Sequence, residues 1–460
     1  MKILLAQVFF PPNIISMEHV NPMKIEIFVL YSVIACFFVN SAQAVNLQQS
    51  VLAASHWDSE YQAAVELHDA EGQKRYQGFA GLLPEITLNG TWYKQDQPGA
   101  SYAAGIKRHN YSLNLQQPIF DLSRYANWQR AKATANAADA TFMLAQQKLI
   151  QAVAKAYFSV LFARKKLDTS QQESRAYQFQ LNKARQGLAI GDGTQLDIDE
   201  AKASYDRSIA EMLSAENDLN QAGIDFNRLT GLAADEIKEG DLQCLFHPVN
   251  EKIDSAVQRA TQKNFNVIAA IHHLEEAKAD VTATTAAHLP VVSLQAIYGN
   301  NWSRAEDGNL LDEVFGTTSK TRNTYIGVNV SVPIFAGGKM LSQSFEAASR
   351  RNQNVLLVED ARRKVAQDAR ISWLGMKNSL EKIQAYTRLQ SSSRKKLDST
   401  IYGTEVGLRT LLDQFDAEKD LFRAIQDRTE AENNFLQQKI QLDASTGDLD
   451  YSTLNNYVCH

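Results

Sequence analysis

The sequence predicts a mainly helical protein that also carries four β-strands, and three observations lead there. The chain repeats itself once along its length. Each repeat holds a long proline-free stretch of helix-forming residues, and each holds two segments in which apolar and polar residues alternate.

The repeat is read from matched residues. Leu83-Pro84 corresponds to Leu289-Pro290, and Pro118-Ile119-Phe120 to Pro333-Ile334-Phe335. Gly187, Gly191, Thr194, Leu196, Asp197, Ala201 and Gly231 match Gly403, Gly407, Thr410, Leu412, Asp413, Ala417 and Gly447 at one constant offset. Tandem duplication is the simplest cause. It divides the chain into a first repeat at 45–231, a linker at 232–250, a second repeat at 251–447 and a tail at 448–460.

Each repeat opens with a polar-rich helical stretch, 47–79 and 251–287, that runs up to a proline unable to continue the helix. Alternation follows. In 85–93, Ile86, Leu88 and Trp92 share one face while Glu85, Thr87, Asn89 and Thr91 take the other; in 111–117, Tyr111, Leu113 and Leu115 oppose Ser112, Asn114 and Gln116. The second repeat does the same with Val292, Leu294, Ala296 and Tyr298, and with Ile326, Val328, Val330 and Val332. Loops at about 94–110 and 299–323 join these strands into hairpins. Hairpins packed on a soluble core are the alternative, but the polar faces have no second layer to cover them.

No proline occurs in 119–247 or 334–460, where Ala, Gln, Leu, Glu, Lys and Arg dominate. Phe142, Ala145, Leu149, Ala152, Ala156, Val160, Ala163 and Leu167 recur in steps of three and four, the spacing of a coiled coil and equally of a helical bundle core. A helix over 123–186 would be roughly 95 Å long, whereas 194–229 and 251–287 would reach about 54 and 55 Å. Two short helices end to end therefore match one long helix, with the chain reversing at Gly187–Gly193.

Four strands cannot close a membrane barrel, for which about eight is the minimum, and open strand edges are not tolerated in lipid. If the strands line a pore, copies of the chain must share it. Two copies give a barrel filled by its own side chains; three give twelve strands and room for passage.

Residues 24–44 read as a secretory leader, with Lys24, an apolar run from Ile27 to Val39, and small residues at Ala42 and Ala44. Met23 is the expected start and Val45 the first residue after cleavage. Val33-Ile34-Ala35-Cys36 offers a competing lipoprotein reading, opposed by the apolar Phe37-Phe38-Val39 that follows. No other stretch approaches the roughly 20 apolar residues of a membrane-spanning helix. The formal net charge of -5 carries no basic footprint, so nucleic acid is not an expected partner.

Catalytic constellations are not evident. His272-His273-Leu274-Glu275-Glu276 lacks zinc-protease spacing and reads as a solvated helix face; Gly191-Asp192-Gly193-Thr194 has no Lys for a phosphate loop and reads as a turn; Gly337-Gly338-Lys339 reads as a strand-to-helix junction. No enzyme, metal or cofactor is expected.

Six segments, in order, carry a resemblance: Gly81-Leu-Leu-Pro-Glu-Ile-Thr-Leu, Leu113-Asn-Leu-Gln-Gln-Pro-Ile-Phe-Asp, Ala156-Tyr-Phe-Ser-Val-Leu, His288-Leu-Pro, Val332-Pro-Ile-Phe-Ala-Gly-Gly and Val406-Gly-Leu-Arg-Thr-Leu-Leu-Asp. Over about residues 46–450 the chain resembles the TolC family of outer-membrane factors. The resemblance implies a TolC-like channel-tunnel, with a long coiled-coil helical barrel and four strands per chain contributing to a shared twelve-stranded trimeric barrel. It implies an exit duct for efflux or type I secretion in the outer membrane of a Gram-negative bacterium, its tunnel projecting into the periplasm. The implied partners are two further copies of the chain, a periplasmic adaptor (membrane fusion) protein, an inner-membrane pump of the ABC, RND or MFS kind, and outer-membrane lipid. A coiled-coil adaptor or structural rod is the alternative; an adaptor would need a lipoyl-like or barrel domain between its helices, and none is visible.

Carried over residue by residue, the resemblance places Asp413 and Asp416 in a carboxylate ring at the periplasmic gate, and Asp197 and Arg409 in a gate latch. Thr404 stands where the family's latch has a tyrosine. Cys244 and Cys459 fall in two segments that the family packs together at its equator, which brings a disulfide within reach without fixing it.

Overall fold

The computed structural model describes residues 45–96, 105–237, 242–248, 251–306, 310, 314, 318–457 and 459. The leader expected at 24–44, with Cys36, lies outside them.

The first repeat runs α1 (Leu47–Trp57), α2 (Ser59–Ala80), β1 (Glu85–Asp96), β2 (Gly105–Phe120), α3 (Leu122–Ile190) and α4 (Gln195–Thr230). The second runs α5 (Ile253–Lys263), α6 (Phe265–Ala286), β3 (Val291–Ala305), β4 (Ser319–Ser331), α7 (Lys339–Glu405) and α8 (Leu411–Thr446). The long helices have 69 and 67 residues, about 100 Å each, and both return helices have 36.

Besides the hairpin loops, which are shorter than 94–110 and 299–323 because β1 runs on to Asp96, β2 starts at Gly105, β3 runs on to Ala305 and β4 starts at Ser319, two expectations need correction. The opening stretches are each two helices rather than one, because Asp58 and Asn264 turn their side chains onto the next helix. Asp58 Oδ1 accepts from the Tyr61 N–H at 2.8 Å, and Asn264 Oδ1 accepts from the Asn266 N–H at 2.9 Å. The second concerns Pro118, where β2 was expected to have ended. The strand continues to Phe120, with a register shift between Pro118 and Phe120 against β3. β1 pairs only as far as Gln116, so the missing proline N–H falls beyond the end of that ladder.

The four strands form one antiparallel sheet in the order β1-β2-β3-β4, leaving β1 and β4 as bare edges. The edge strands are open on both faces, with Leu88 75% and Ile326 72% exposed on one and Tyr325 53% exposed on the other. α3 packs against α2 and α6 over the part nearer the sheet and against α4 and α8 farther away, while α7 packs on α5, α6 and α8.

The main core lies midway along the long helices. Leu47 and Val51 of α1, Ile150, Val153 and Phe158 of α3, Phe226 of α4, Leu436 and Ile440 of α8, and Leu449 and Leu454 of the tail meet there, all essentially without solvent contact. Gly231 and Gly447, matched across the repeats, end α4 and α8 with φ of 71° and 75°. A Cβ on Gly231 would lie 2.7 Å from the Trp57 ring, and one on Gly447 2.6 Å from the Lys263 carbonyl, so glycine is needed for space as well as conformation. Cys244 and Cys459 form a disulfide with Cα atoms 5.9 Å apart, tying the inter-repeat segment to the tail. Val45 pairs with Ile237 in a short parallel bridge on the same belt.

Candidate functional site at the helical tip

Each long helix ends in a left-handed glycine, Gly191 at φ 82° and Gly407 at φ 74°, and restarts three residues later behind a threonine cap. The two caps are copies of one another. Thr194 Oγ1 accepts from the Asp197 N–H at 3.2 Å, and Asp197 Oδ2 accepts from the Thr194 N–H and hydroxyl at 2.8 and 2.7 Å. Thr410 Oγ1 accepts from the Asp413 N–H at 3.1 Å, and Asp413 Oδ2 accepts from the Thr410 N–H and hydroxyl, both at 2.9 Å. Each aspartate thus closes a capping box at a helix N-terminus, where negative charge is favoured.

This geometry divides the four expected gate residues. Asp197 is occupied by its own cap. Arg409 places Nη1 3.9 Å from Asp413 Oδ1, an exposed pair within one helix start. Among the described ion pairs of a single protomer, Arg409 meets Asp413 and not Asp197. The Thr410 N–H and hydroxyl, with lesser help from Arg409 and Lys396, hold the Asp413 carboxyl below the usual range. Thr404, in the position where the resemblance has a tyrosine, donates back to the Thr400 carbonyl at 2.9 Å and to the Thr410 carbonyl at 3.4 Å. Asp416 stands one turn beyond Asp413, exposed, on a groove of about 510 Å³ whose walls include Tyr177 and Glu173 of α3, Arg207 and Glu211 of α4, and Lys419 of α8.

Beneath the groove lies a layer that the residue pattern did not single out. Glu173 of α3 and Glu418 of α8 are each only 6% exposed. Gln180 Nε2 donates to Glu418 Oε1 at 3.0 Å across the two hairpins, and Gln414 Nε2 donates to it at 3.4 Å. Glu173 Oε2, Glu418 Oε2, Gln180 Oε1, Gln414 Oε1 and Ser170 Oγ are buried without a hydrogen-bond partner. Burial, with repulsion from Glu211 and Glu418, pushes the Glu173 carboxyl up to about 7. Burial likewise raises Glu418, against the lowering effect of its two glutamine donors and Lys183, and raises the Tyr177 hydroxyl. A sequence signal for this layer exists: the three-and-four spacing of α3 continues through Ser170, Ser174, Tyr177 and Leu181, so polar residues sit on a seam that is apolar higher up.

Among the described residues, no group of three or more His, Cys, Asp or Glu side chains could hold a metal ion, and no helix is long and apolar enough to cross a membrane. His272 and His273 each pair with the glutamate three residues on, at 2.9 and 3.5 Å.

The family described as outer membrane efflux protein matches the chain over residues 47–232 and 256–448. The outer membrane protein TolC of Escherichia coli (strain K12) is 27% identical over 431 residues, 91% of this chain and 86% of the relative. The alkaline protease secretion protein AprF of Pseudomonas aeruginosa is 27% identical over 433 residues, 90% of this chain and 86% of the relative. Among solved structures, the outer membrane protein VceC of Vibrio cholerae superposes with a TM-score of 0.74 at 18% identity, covering 87% of this chain and 96% of that one.

Proposed function

This chain belongs to the outer membrane efflux protein family, and from that membership we propose the assembly and the gate through which it works. The protein is an outer-membrane exit duct of the kind used in efflux and type I secretion, with its helical tunnel in the periplasm. Three copies share a twelve-stranded barrel, and the duct receives its cargo from a periplasmic adaptor and an inner-membrane pump. The observation that carries this assembly is the four-stranded sheet, bare at both edges and apolar on one exposed face. A sheet of that kind is stable in lipid only when copies close it.

The tip is the gate. Threefold symmetry gathers Asp413 and Asp416 of each chain into six carboxylates about one axis, where they attract cations and repel anions. Asp413 is already committed to its cap, so Asp416 is the freer charge of the two. Asp197 and Arg409 form the latch between neighbouring hairpins of the assembly, which requires Arg409 to leave Asp413. That exchange involves only exposed groups, each pairing worth well under about 1 kcal/mol, so the latch is easily reversed.

Analytical ultracentrifugation in a non-denaturing detergent tests the assembly. A species of three chains is expected; a stable monomer would overturn the shared barrel.

A further inference from the structure

The apolar face of the sheet is ordered in rows. Reading across β1, β2, β3 and β4 towards the hairpin loops, Ile86–Leu115–Ala296–Ile326 is followed by Leu88–Leu113–Tyr298–Thr324, Gly90–Tyr111–Asn300–Arg322 and Trp92–His109–Trp302–Lys320. The rings of that last row lie side by side, tilted to one another, with Trp92 to His109 at 4.8 Å and His109 to Trp302 at 4.6 Å. One row further out stand only cations, Lys94–Lys107–Arg304. From Val292 to Trp302 the strand rises about 33 Å, or about 25 Å of height at a barrel tilt of ~40°, the thickness of an outer-membrane apolar band. The aromatic row, which holds Lys320, therefore falls at the outer interface on the lipid side of the wall, with Lys94, Lys107 and Arg304 one row beyond it at headgroup level and Arg322 one row inside it.

Their charges are unevenly answered. Lys94 Nζ lies 2.8 Å from Glu306 and 3.5 Å from Asp96, and Lys107 Nζ lies 3.4 Å from Glu306. Arg304, Lys320 and Arg322 are exposed and have no carboxylate within ion-pair distance among the described residues. Lys320 lies directly across from Trp302, with Arg304 and Arg322 as its diagonal and same-strand neighbours on that face. Arg304 and Arg322 thus stand one row to either side of Lys320 and Trp302, where two guanidinium forks and an ammonium can turn toward one phosphate beside an indole: guanidinium groups bind phosphate oxygens in pairs, and an indole presents a flat apolar face to a sugar ring.

We propose that Arg304, Lys320 and Arg322, beside Trp302, bind the phosphate of a phosphorylated glycolipid of the outer leaflet, holding a ring of such lipids against the barrel wall. The inference rests on the barrel reading, which sets this face against lipid. The lipid's acyl chains would lie along the Ile326 and Val328 rows while its headgroup reaches the cations, so burial and charge act together.

Native mass spectrometry of the full chain in mild detergent tests it with three probes: a bis-phosphorylated glucosamine-disaccharide lipid, the same lipid with its phosphates removed, and inorganic phosphate. Wild type is expected to retain the phosphorylated lipid at least tenfold better than the dephosphorylated one, and millimolar inorganic phosphate should not displace it. The triple variant Arg304→Ala, Lys320→Ala, Arg322→Ala should lose that preference while the oligomer mass stays that of wild type. The charge-keeping pair Arg304→Lys with Arg322→Lys should retain part of it. Equal retention of both lipids by wild type, an undiminished preference in the triple variant, or displacement by inorganic phosphate would each overturn the lipid-phosphate site. Failure of wild type to hold lipid of any kind would overturn the barrel reading beneath it as well, and the oligomer mass in the same spectra separates the two failures.

Discussion

Glu432 and Glu418 lie on the same helix, α8, about four turns apart and both buried, and the protein treats them in opposite ways. Near the middle of the molecule Glu432 is held at 2.8 Å by both Arg428 Nε and Lys165 Nζ. Near the tip Glu418 has no cation at contact and relies on two glutamine amides, with Glu173 close by and unpaired. The surroundings follow the same division. The middle is a dense apolar belt closed by a disulfide, where Asn264 donates to the Ser445 carbonyl at 2.9 Å, the Tyr457 hydroxyl donates to the Asp443 carboxylate, and Arg259 ion-pairs with Glu251 and Asp448. At the tip the apolar contacts shrink to small clusters around Tyr177, Phe415 and Leu421. Unanswered buried groups are expensive, so they lower the local stability of the tip relative to the belt. The belt is densely packed and the tip sparingly so.

The largest expected effect tests the belt. Phe158→Ala removes a ring with no solvent exposure from the main core, and should lower stability by about 3–5 kcal/mol. Phe415→Ala at the tip should cost clearly less, because the neighbouring groove lets the site relax. Denaturant unfolding of the two variants under one condition checks this, and equal losses would erase the distinction between belt and tip.

The second test is a pH profile of the tip. The folded Glu173 carboxyl titrates at about 7, above its ordinary 4.5. A raised carboxyl binds its proton more tightly in the packed state, so its contribution is full below about 4.5 and is lost as pH rises through about 7. The groups facing it are Arg207 and Glu211 of α4, and Asp416, Glu418, Lys419 and Arg423 of α8. Raising the pH from 5 to 8 should loosen the contact between α3 and α8 by up to roughly 3 kcal/mol. Glu173→Gln should remove most of that slope. Hydrogen exchange of the tip amides across this range reads it directly, and an unchanged slope in Glu173→Gln would assign the effect elsewhere.

The smallest energies concern the gate, although the readout is functional. In planar-bilayer recordings Arg409→Ser should raise conductance, and Asp416→Asn should weaken cation selectivity and block by multivalent cations. Asp413→Asn should add less than Asp416→Asn, since that carboxylate is partly engaged by Thr410. Wild-type conductance together with wild-type selectivity in these variants would remove the gate assignment and leave the duct intact.

Local chemistry determined much of this protein from the sequence alone. Prolines and glycines marked where helices stop, and alternation located the strands, because each of these depends on neighbours a few residues away. Asp58 and Asn264 were legible in principle as helix caps, but a polar residue inside a helical pattern breaks it only where packing bends the chain. Tertiary structure decided the rest. Cys244 met Cys459, Arg409 turned to Asp413 within its own helix start, and Gln180 reached Glu418 across 238 residues of chain. Spacing places Glu173 and Glu418 on their helices, but only the approach of two hairpins takes them out of water, and with it changes the energy of their charge. Burial is a property of what arrives from elsewhere in the fold, and no local pattern contains it.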